Sequence, residues 1–159
     1  MAAMAHAMDT NGAYDAGNVL AKILDGVIPS HKVFESEHSL AILDAFPVCP
    51  GHVLVLPKLK GHATITTMPP AVLGAVMADV GRVADAVQRA LRADGINLVQ
   101  NNGKAAGQQV LHVHLHIIPR FADDKLGLAF PPNAKTMLAA ADAKHLLDKL
   151  SPELSKLKR

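Results

Sequence analysis

The sequence predicts an α+β domain built on an antiparallel sheet, and three observations carry that reading. Five short β-like runs occur: "KVFES", "HSLAILD", "HVLVLP", "INLVQN" and "VLHVHLHII". They do not alternate regularly with helices, as the crossovers of a parallel sheet would require. One long apolar helical pattern stands among them, between the third run and the fourth.

The opening "MAAMAHAMDTNGAYD" has no basic n-region and no strong apolar h-region, so residues 1–16 read as a disordered tail and not a signal peptide. "NVLAKILDG" sets Val19, Leu20, Ile23 and Leu24 at helical spacing, and Gly26 can end that helix. Polar residues alone separate "KVFES" from "HSLAILD", which reads as a hairpin. Pro47, Pro50 and Gly51 then bracket a loop. "HVLVLP" is apolar on both faces, as a central strand would be. Pro69 and Pro70 open the long helix, where a missing N–H is harmless. Val72, Leu73, Val76, Met77, Val80, Val83, Ala84, Val87 and Leu91 recur at three- and four-residue steps, with Asp79, Arg82, Asp85 and Arg89 mostly off the stripe. Gly95 reads as its close. "INLVQN" is the next strand, "NGKAAGQ" a glycine-bearing loop, and the histidine-rich run the last strand. From Lys135 to Leu150 the chain is Ala- and Leu-rich and helical, and Ser151-Pro152 starts a further short helix. The organisation is a tail over 1–16, one domain over 17–122 and a C-terminal helical extension over 123–159.

Composition narrows the function. A chain of 159 residues suits one domain with a real core. Aromatic residues make up 3% and Trp is absent, so the core is built from Val, Leu, Ile, Ala and Met. A net charge of +2 is too small to mark a nucleic-acid binder. No apolar run reaches the roughly 20 residues a membrane helix needs. Neither nucleic acid nor membrane is therefore an expected partner. The single cysteine, Cys49, rules out an internal disulfide and suits a reducing, cytoplasmic setting.

The informative stretch is "QQVLHVHLHIIPR", with His112, His114 and His116 at alternate positions. On a strand these share one face while Val113, Leu115 and Ile117 share the other. Three readings are open: catalysis, metal binding, or ordinary polar residues on a solvated face. Geometry opposes one ion shared by all three, because the outer Cα atoms of such a run lie about 13 Å apart. With Zn–N bonds of about 2.1 Å, the outer rings would have to stretch toward each other almost in line. Two histidines with a distant ligand stay possible. Imidazole chemistry favours catalysis: neutral histidine is a nucleophile near neutral pH, and its neighbours can set its tautomer or donate to an anion. A phosphorus centre suits such a row.

Taken with its flanks, "NNGKAAGQQV" before and Pro119-Arg120 after, this run resembles the signature of the histidine-triad (HIT) superfamily, in its Hint-like or generic branch. "KILDGVIP", "LAILDAFPVCPGHVLVLPK" and "GINLVQNNG" resemble the family's first helix, its second and third strands and the strand before the triad. The resemblance implies a HIT-like fold of about five strands with one long helix and a short N-terminal helix. It implies that His114 attacks the α-phosphorus of a purine nucleotide and forms a nucleotidyl-histidine that water hydrolyses. His112 would orient His114, His116 would contact the phosphate near the leaving group, and His52 matches a fourth histidine beside the triad. Asp44 falls on the carboxylate for the ribose hydroxyls; the residues alone also allow it simply to begin the turn before Pro47. Val19, Leu20, Ile23 and Ile42 match the base slot. Asn101, Gly107, Gln108 and Gln109 match the phosphate-facing loop. No cofactor is implied, and the expected partners are an AMP-type nucleotide and a second copy of the chain, paired through the long helix and "INLVQN".

Three departures matter. Some relatives carry Cys-x-x-Cys in the first helix for structural zinc, whereas Asn18 and Ala21 stand here, so no metal site is expected. Gln109 stands where the Hint branch usually has a small hydroxyl residue. Pro119-Arg120 is shared by several branches and selects none. The leading expectation is an adenosine 5'-monophosphoramidase. A dinucleoside polyphosphate hydrolase and a nucleotide-binding scaffold with incidental turnover are the alternatives. After the triad, "FADDKLGLAFPP" is either a lid carrying Phe121 or Phe130, or a linker.

Overall fold

The computed structural model describes residues 14–127. Residues 1–13, the helices expected beyond Lys135 and the lid candidate Phe130 lie outside them. The chain divides into two compact units, Met1–Asp124 and Lys125–Arg159, and the described helices and strands all belong to the first. Helix α1 spans Val19–Leu24 and α2 spans Pro70–Leu91. Strands β1 (Lys32–Glu35), β2 (Ser39–Leu43), β3 (Val53–Pro57), β4 (Gly95–Val99) and β5 (Leu115–Arg120) form one antiparallel sheet in the order β1-β2-β3-β5-β4. The α+β expectation holds, with the expected hairpin as β1–β2 and the doubly apolar run as the central strand β3.

Alternation along the strands sorts the core onto two faces. Ala41, Val53, Val55, Leu115 and Ile117 pack with Val76, Val80, Val83 and Val87 of α2. Leu40, Ile42, Leu54 and Leu56 pack with Leu20 on the other face, where Ile23 and Leu24 of α1 also lie. The helices thus cover opposite faces, and the face toward α1 carries the site. No helix among the described residues is long and apolar enough to cross a membrane.

Gly26, with φ 72°, follows α1, and its N–H and that of Val27 donate to Ile23 and Lys22 carbonyls, as a helix-ending glycine should. At α2 the expected stop is wrong. The left-handed cap is Arg92, with φ 53° and ψ 41°, and Gly95 instead begins β4. The Ala93 N–H closes the helix on the Gln88 carbonyl at 2.9 Å, satisfying a terminal carbonyl before the glycine is reached.

Asp79 also differs from its sequence reading as an off-stripe helix residue: it is 3% exposed. Its Oδ2 accepts hydroxyl protons from Ser36 at 2.5 Å and Ser39 at 2.7 Å, tying the β1–β2 hairpin to α2. Burial pushes this carboxyl's pKa up, but the two serines and Arg82 outweigh it and hold it below the usual value. Replacing Asp79 by alanine strands two serine hydroxyls at a buried joint. Asp79→Ala should lower unfolding stability by about 2 kcal/mol, read as a reduced urea midpoint; an unchanged midpoint would show the joint to be slack.

Candidate active site

A cavity of about 780 Å³ lies on the α1 face. Ile42, Leu54 and His116 stand in register across β2, β3 and β5 and form part of its wall. Val19, Leu20 and Ile23 close it from α1. The sequence expectation of one strand through all three histidines needs correction, because β5 begins only at Leu115. Upstream, the Val113 N–H turns to the His62 carbonyl at 3.1 Å, so the ladder with β3 stops. The alternation survives this: Val113, Leu115 and Ile117 enter the α2-side core.

Hydrogen bonding sets the protons on the rings. His114 Nδ1 lies 2.7 Å from the His112 carbonyl oxygen, which can only accept, so Nδ1 carries the hydrogen and Nε2 keeps its lone pair. His112 Nε2 likewise donates to the Pro57 carbonyl at 3.1 Å, and its Nδ1 faces the Tyr14 hydroxyl at 3.0 Å. His52 Nδ1 lies 3.3 Å from the Val48 N–H and 3.4 Å from Asp44 Oδ2, contacts that favour opposite protonation. A backbone N–H can only donate, and burial lowers the His52 pKa against the pull of Asp44, so Nδ1 is the acceptor. His52 Nε2–H then donates to His116 Nδ1 at 2.9 Å, leaving His116 with Nε2–H. Neither His114 Nε2 nor His116 Nε2 has a partner among the described residues, and no inaccessible side-chain nitrogen or oxygen there lacks one. Both atoms therefore open to the cavity, one as a lone pair and one as a donor.

Burial is the first cause of a lowered pKa at His52, His112, His114 and His116, because an apolar wall penalises the imidazolium. His116, facing His114 and His52 as well, falls to about 4. The row is neutral at physiological pH.

The sequence matches the HIT domain family over residues 25–123. The chain belongs to the HIT family. It is 42% identical to the adenylylsulfatase HINT3 of Arabidopsis thaliana over 68% of this chain, and spans only 54% of that protein's length. It is 39% identical to the adenosine 5'-monophosphoramidase HNT1 of Saccharomyces cerevisiae, over 76% of this chain and 73% of the relative. Among solved structures, the histidine triad nucleotide-binding protein of Candida albicans superposes with a TM-score of 0.77 at 30% identity, covering 89% of this chain and 99% of that one. These similarities put it in the Hint-like branch of HIT proteins.

Most of the anticipated HIT site residues share this one cavity. Asp44 does two things at once: Oδ1 accepts the Phe46 N–H at 2.9 Å, making the turn, while the residue also lines the cavity. Asn101 and Gln109 line it too, and their side-chain amides have no hydrogen-bond partner among the described residues. Gly107, beside Asn101, has φ 84°, a conformation that favours glycine. Two residues are not on the wall. His112 sits behind it, in keeping with an orienting part. Gln108 turns inward: its carbonyl accepts the Gly103 N–H at 2.7 Å, and its amide donates to the Ala63 and Val110 carbonyls at 2.6 and 3.0 Å. With its polar atoms spent on backbone, Gln108 clamps the loop instead of meeting a ligand. Phe121 is not part of the wall either.

The sequence reading misses Tyr14, Ser30, His31, Phe46 and Val48. The last four line the cavity from the exits of α1 and β2, and their proximity to predicted turns is the available signal. Asn18 accepts the Ala21 N–H at 2.9 Å as the cap of α1, and Ala21 is fully buried, so both positions have structural work. Asp44, His52 and His116 bring ligand atoms within 4.8 Å of one another and form a group that could hold a cation. Such an ion would compete with the His52–His116 hydrogen bond.

Neutral buried rings imply a definite pH behaviour. Histidines in the unfolded chain take protons near 6.5 while the folded rings resist, so stability should fall as the pH drops from 6.5 toward about 4, where His116 titrates. Titration followed by NMR should place all four midpoints below 6.5. A His114 midpoint at or above that value would contradict the burial argument.

Proposed function

We propose that this HIT protein is a nucleotide hydrolase that cleaves P–N bonds of purine nucleoside 5'-phosphoramidates through a nucleotidyl-histidine on His114. The observation that carries the reading is the bond from His114 Nδ1–H to the His112 carbonyl, which leaves an unprotonated Nε2 open to the cavity. That lone pair attacks the α-phosphorus, the P–N bond breaks, and the amine leaves with a proton taken from solvent in the open cavity. Positive charge arriving on the His114 ring is shared through Nδ1–H with the carbonyl. Water then attacks phosphorus and gives up a proton to solvent, the P–Nε2 bond breaks to return His114 neutral, and the nucleoside monophosphate departs. His116 Nε2–H and the amides of Asn101 and Gln109 supply donors for the phosphate oxygens. Asp44 takes the ribose hydroxyls, and the apolar residues of α1 and Ile42 enclose the base. The yeast phosphoramidase relative supports this choice of leaving group.

We also read the protein as a homodimer. β4 is an edge strand whose Leu98 is 49% exposed, and α2 presents Met77 and Leu91 to solvent, so both elements expected at the interface carry uncovered apolar side chains.

His114→Ala should reduce kcat by several decades while nucleotide still binds, because the lost P–Nε2 bond is absent from the bound ground state and forms only in the transition state and the nucleotidyl-histidine. A variant that keeps a tenth of the wild-type rate removes His114 from the nucleophile's role and favours a nucleotide-binding scaffold. Substrate choice is read from kcat/KM for adenosine phosphoramidate against adenylyl sulfate, diadenosine triphosphate and diadenosine tetraphosphate. The phosphoramidate should win. A competitor ahead by more than about tenfold, roughly 1.4 kcal/mol of transition-state stabilisation, reassigns the leaving group. Light scattering should give the mass of two chains at micromolar concentration.

A further inference from the structure

The structure assigns Tyr14 as a positioning residue for the histidine row: its hydroxyl anchors the His112 ring, and through the His112 backbone it keeps the His114 imidazole aligned. The inference rests on His114 being the nucleophile, as proposed above.

The His112 ring is fully buried, so each of its nitrogens needs a partner inside the protein. Nε2 faces the Pro57 carbonyl at 3.1 Å and must be the donor. In the neutral ring Nδ1 then holds a lone pair, and the hydroxyl of Tyr14, 3.0 Å away, donates to it. The opposite tautomer would set a lone pair against the carbonyl lone pairs of Pro57. Burial, together with nearby His114, Lys60 and His62, disfavours a proton on Nδ1, so the neutral ring pinned at both ends is the stable state. The residue so pinned is the one whose carbonyl holds His114 Nδ1–H. Without the hydroxyl, a buried acceptor is left unpaired and the ring keeps one anchor of two.

Tyr14 is held in place by the segment it belongs to. The Gly17 N–H donates to Asp15 Oδ1 at 2.8 Å and the Asn18 N–H to the Asp15 carbonyl at 3.1 Å, making a tight turn. Asn18 caps α1, whose Leu20 and Ala21 are buried. The helix that walls the cavity and the side chain that anchors His112 are thus one short piece of chain. Tyr14 is absent from the cavity wall and touches His112 ring to ring, with centroids 5.7 Å apart. Its influence on a substrate would pass through His112.

The test uses the full chain with Tyr14→Phe, which keeps the ring and removes the hydroxyl. In the wild type, nitrogen NMR of the His112 side chain should show the Nε2–H tautomer with a hydrogen-bonded Nδ1. Tyr14→Phe should move the Nδ1 resonance toward its unbonded position and lower kcat about tenfold with KM nearly unchanged. A wild-type His112 protonated on Nδ1 would overturn the proposal, even if the variant failed to fold. So would a variant with wild-type kcat, or one in which only KM changes. Failure of the nucleophile reading is distinguishable: an active His114→Ala enzyme would remove the catalytic consequence while the His112 resonance still answered to Tyr14.

Discussion

The site depends on one hydrogen bond, the 2.7 Å contact between His114 Nδ1 and the His112 carbonyl. A neutral imidazole has one donor and one acceptor nitrogen, so fixing a carbonyl against Nδ1 decides that the lone pair sits on Nε2. The bond spans two residues, and the His112 carbonyl that accepts it lies upstream of the ladder. The start of the strand at Leu115, later than the alternation suggests, is therefore part of the arrangement. Had β5 paired from Val110 onward, its carbonyls would have faced neighbouring strands.

Around that bond the sheet acts as a rigid frame. β3 is buried along its whole length and is flanked by β2 and β5, so Ile42, Leu54 and His116 are held in one row. The turn into β3 is held close as well. Gly51 has φ 87°, and a side chain there would meet Leu91 Cδ1 at 2.2 Å. The next residue is His52, whose ring meets His116 at 2.9 Å.

The fold is legible wherever one face of an element is apolar. The β1–β2 hairpin, β3, β4 and both helices follow from periodicity and turn residues, because burial imposes those patterns. Misreadings arise where a local rule has a competitor. Gly95 looks like a helix stop, but the Arg92 cap completes the terminal hydrogen bonds first. Asp79 looks like a solvated charge because nothing in its own helix shows that Ser36 and Ser39 lie opposite. Gln108 and Gln109 are adjacent amides with equal claims on a phosphate, and only the folded loop shows that one faces in and the other out. Tyr14 meets His112 across 98 residues, a contact no local pattern encodes.

The electrostatics of the cavity bear on how it treats an anion. His52, His114 and His116 line the cavity with His112 behind them, yet all four are pushed toward neutrality, so the site offers donors and a lone pair instead of a block of positive charge. A cluster of imidazolium ions would hold a ground-state phosphate tightly and leave no nucleophile. In the proposed reaction, neutral donors such as His116 Nε2–H and the Asn101 and Gln109 amides would bind the ground state more weakly and strengthen as charge gathers on the phosphoryl oxygens, the differential binding that speeds a reaction. The same burial that lowers the pKa values keeps Nε2 of His114 available. For the proposed reaction, neutrality of the row would serve nucleophilicity and selectivity for the transition state through a single cause, the apolar walls supplied by α1, β2 and β3.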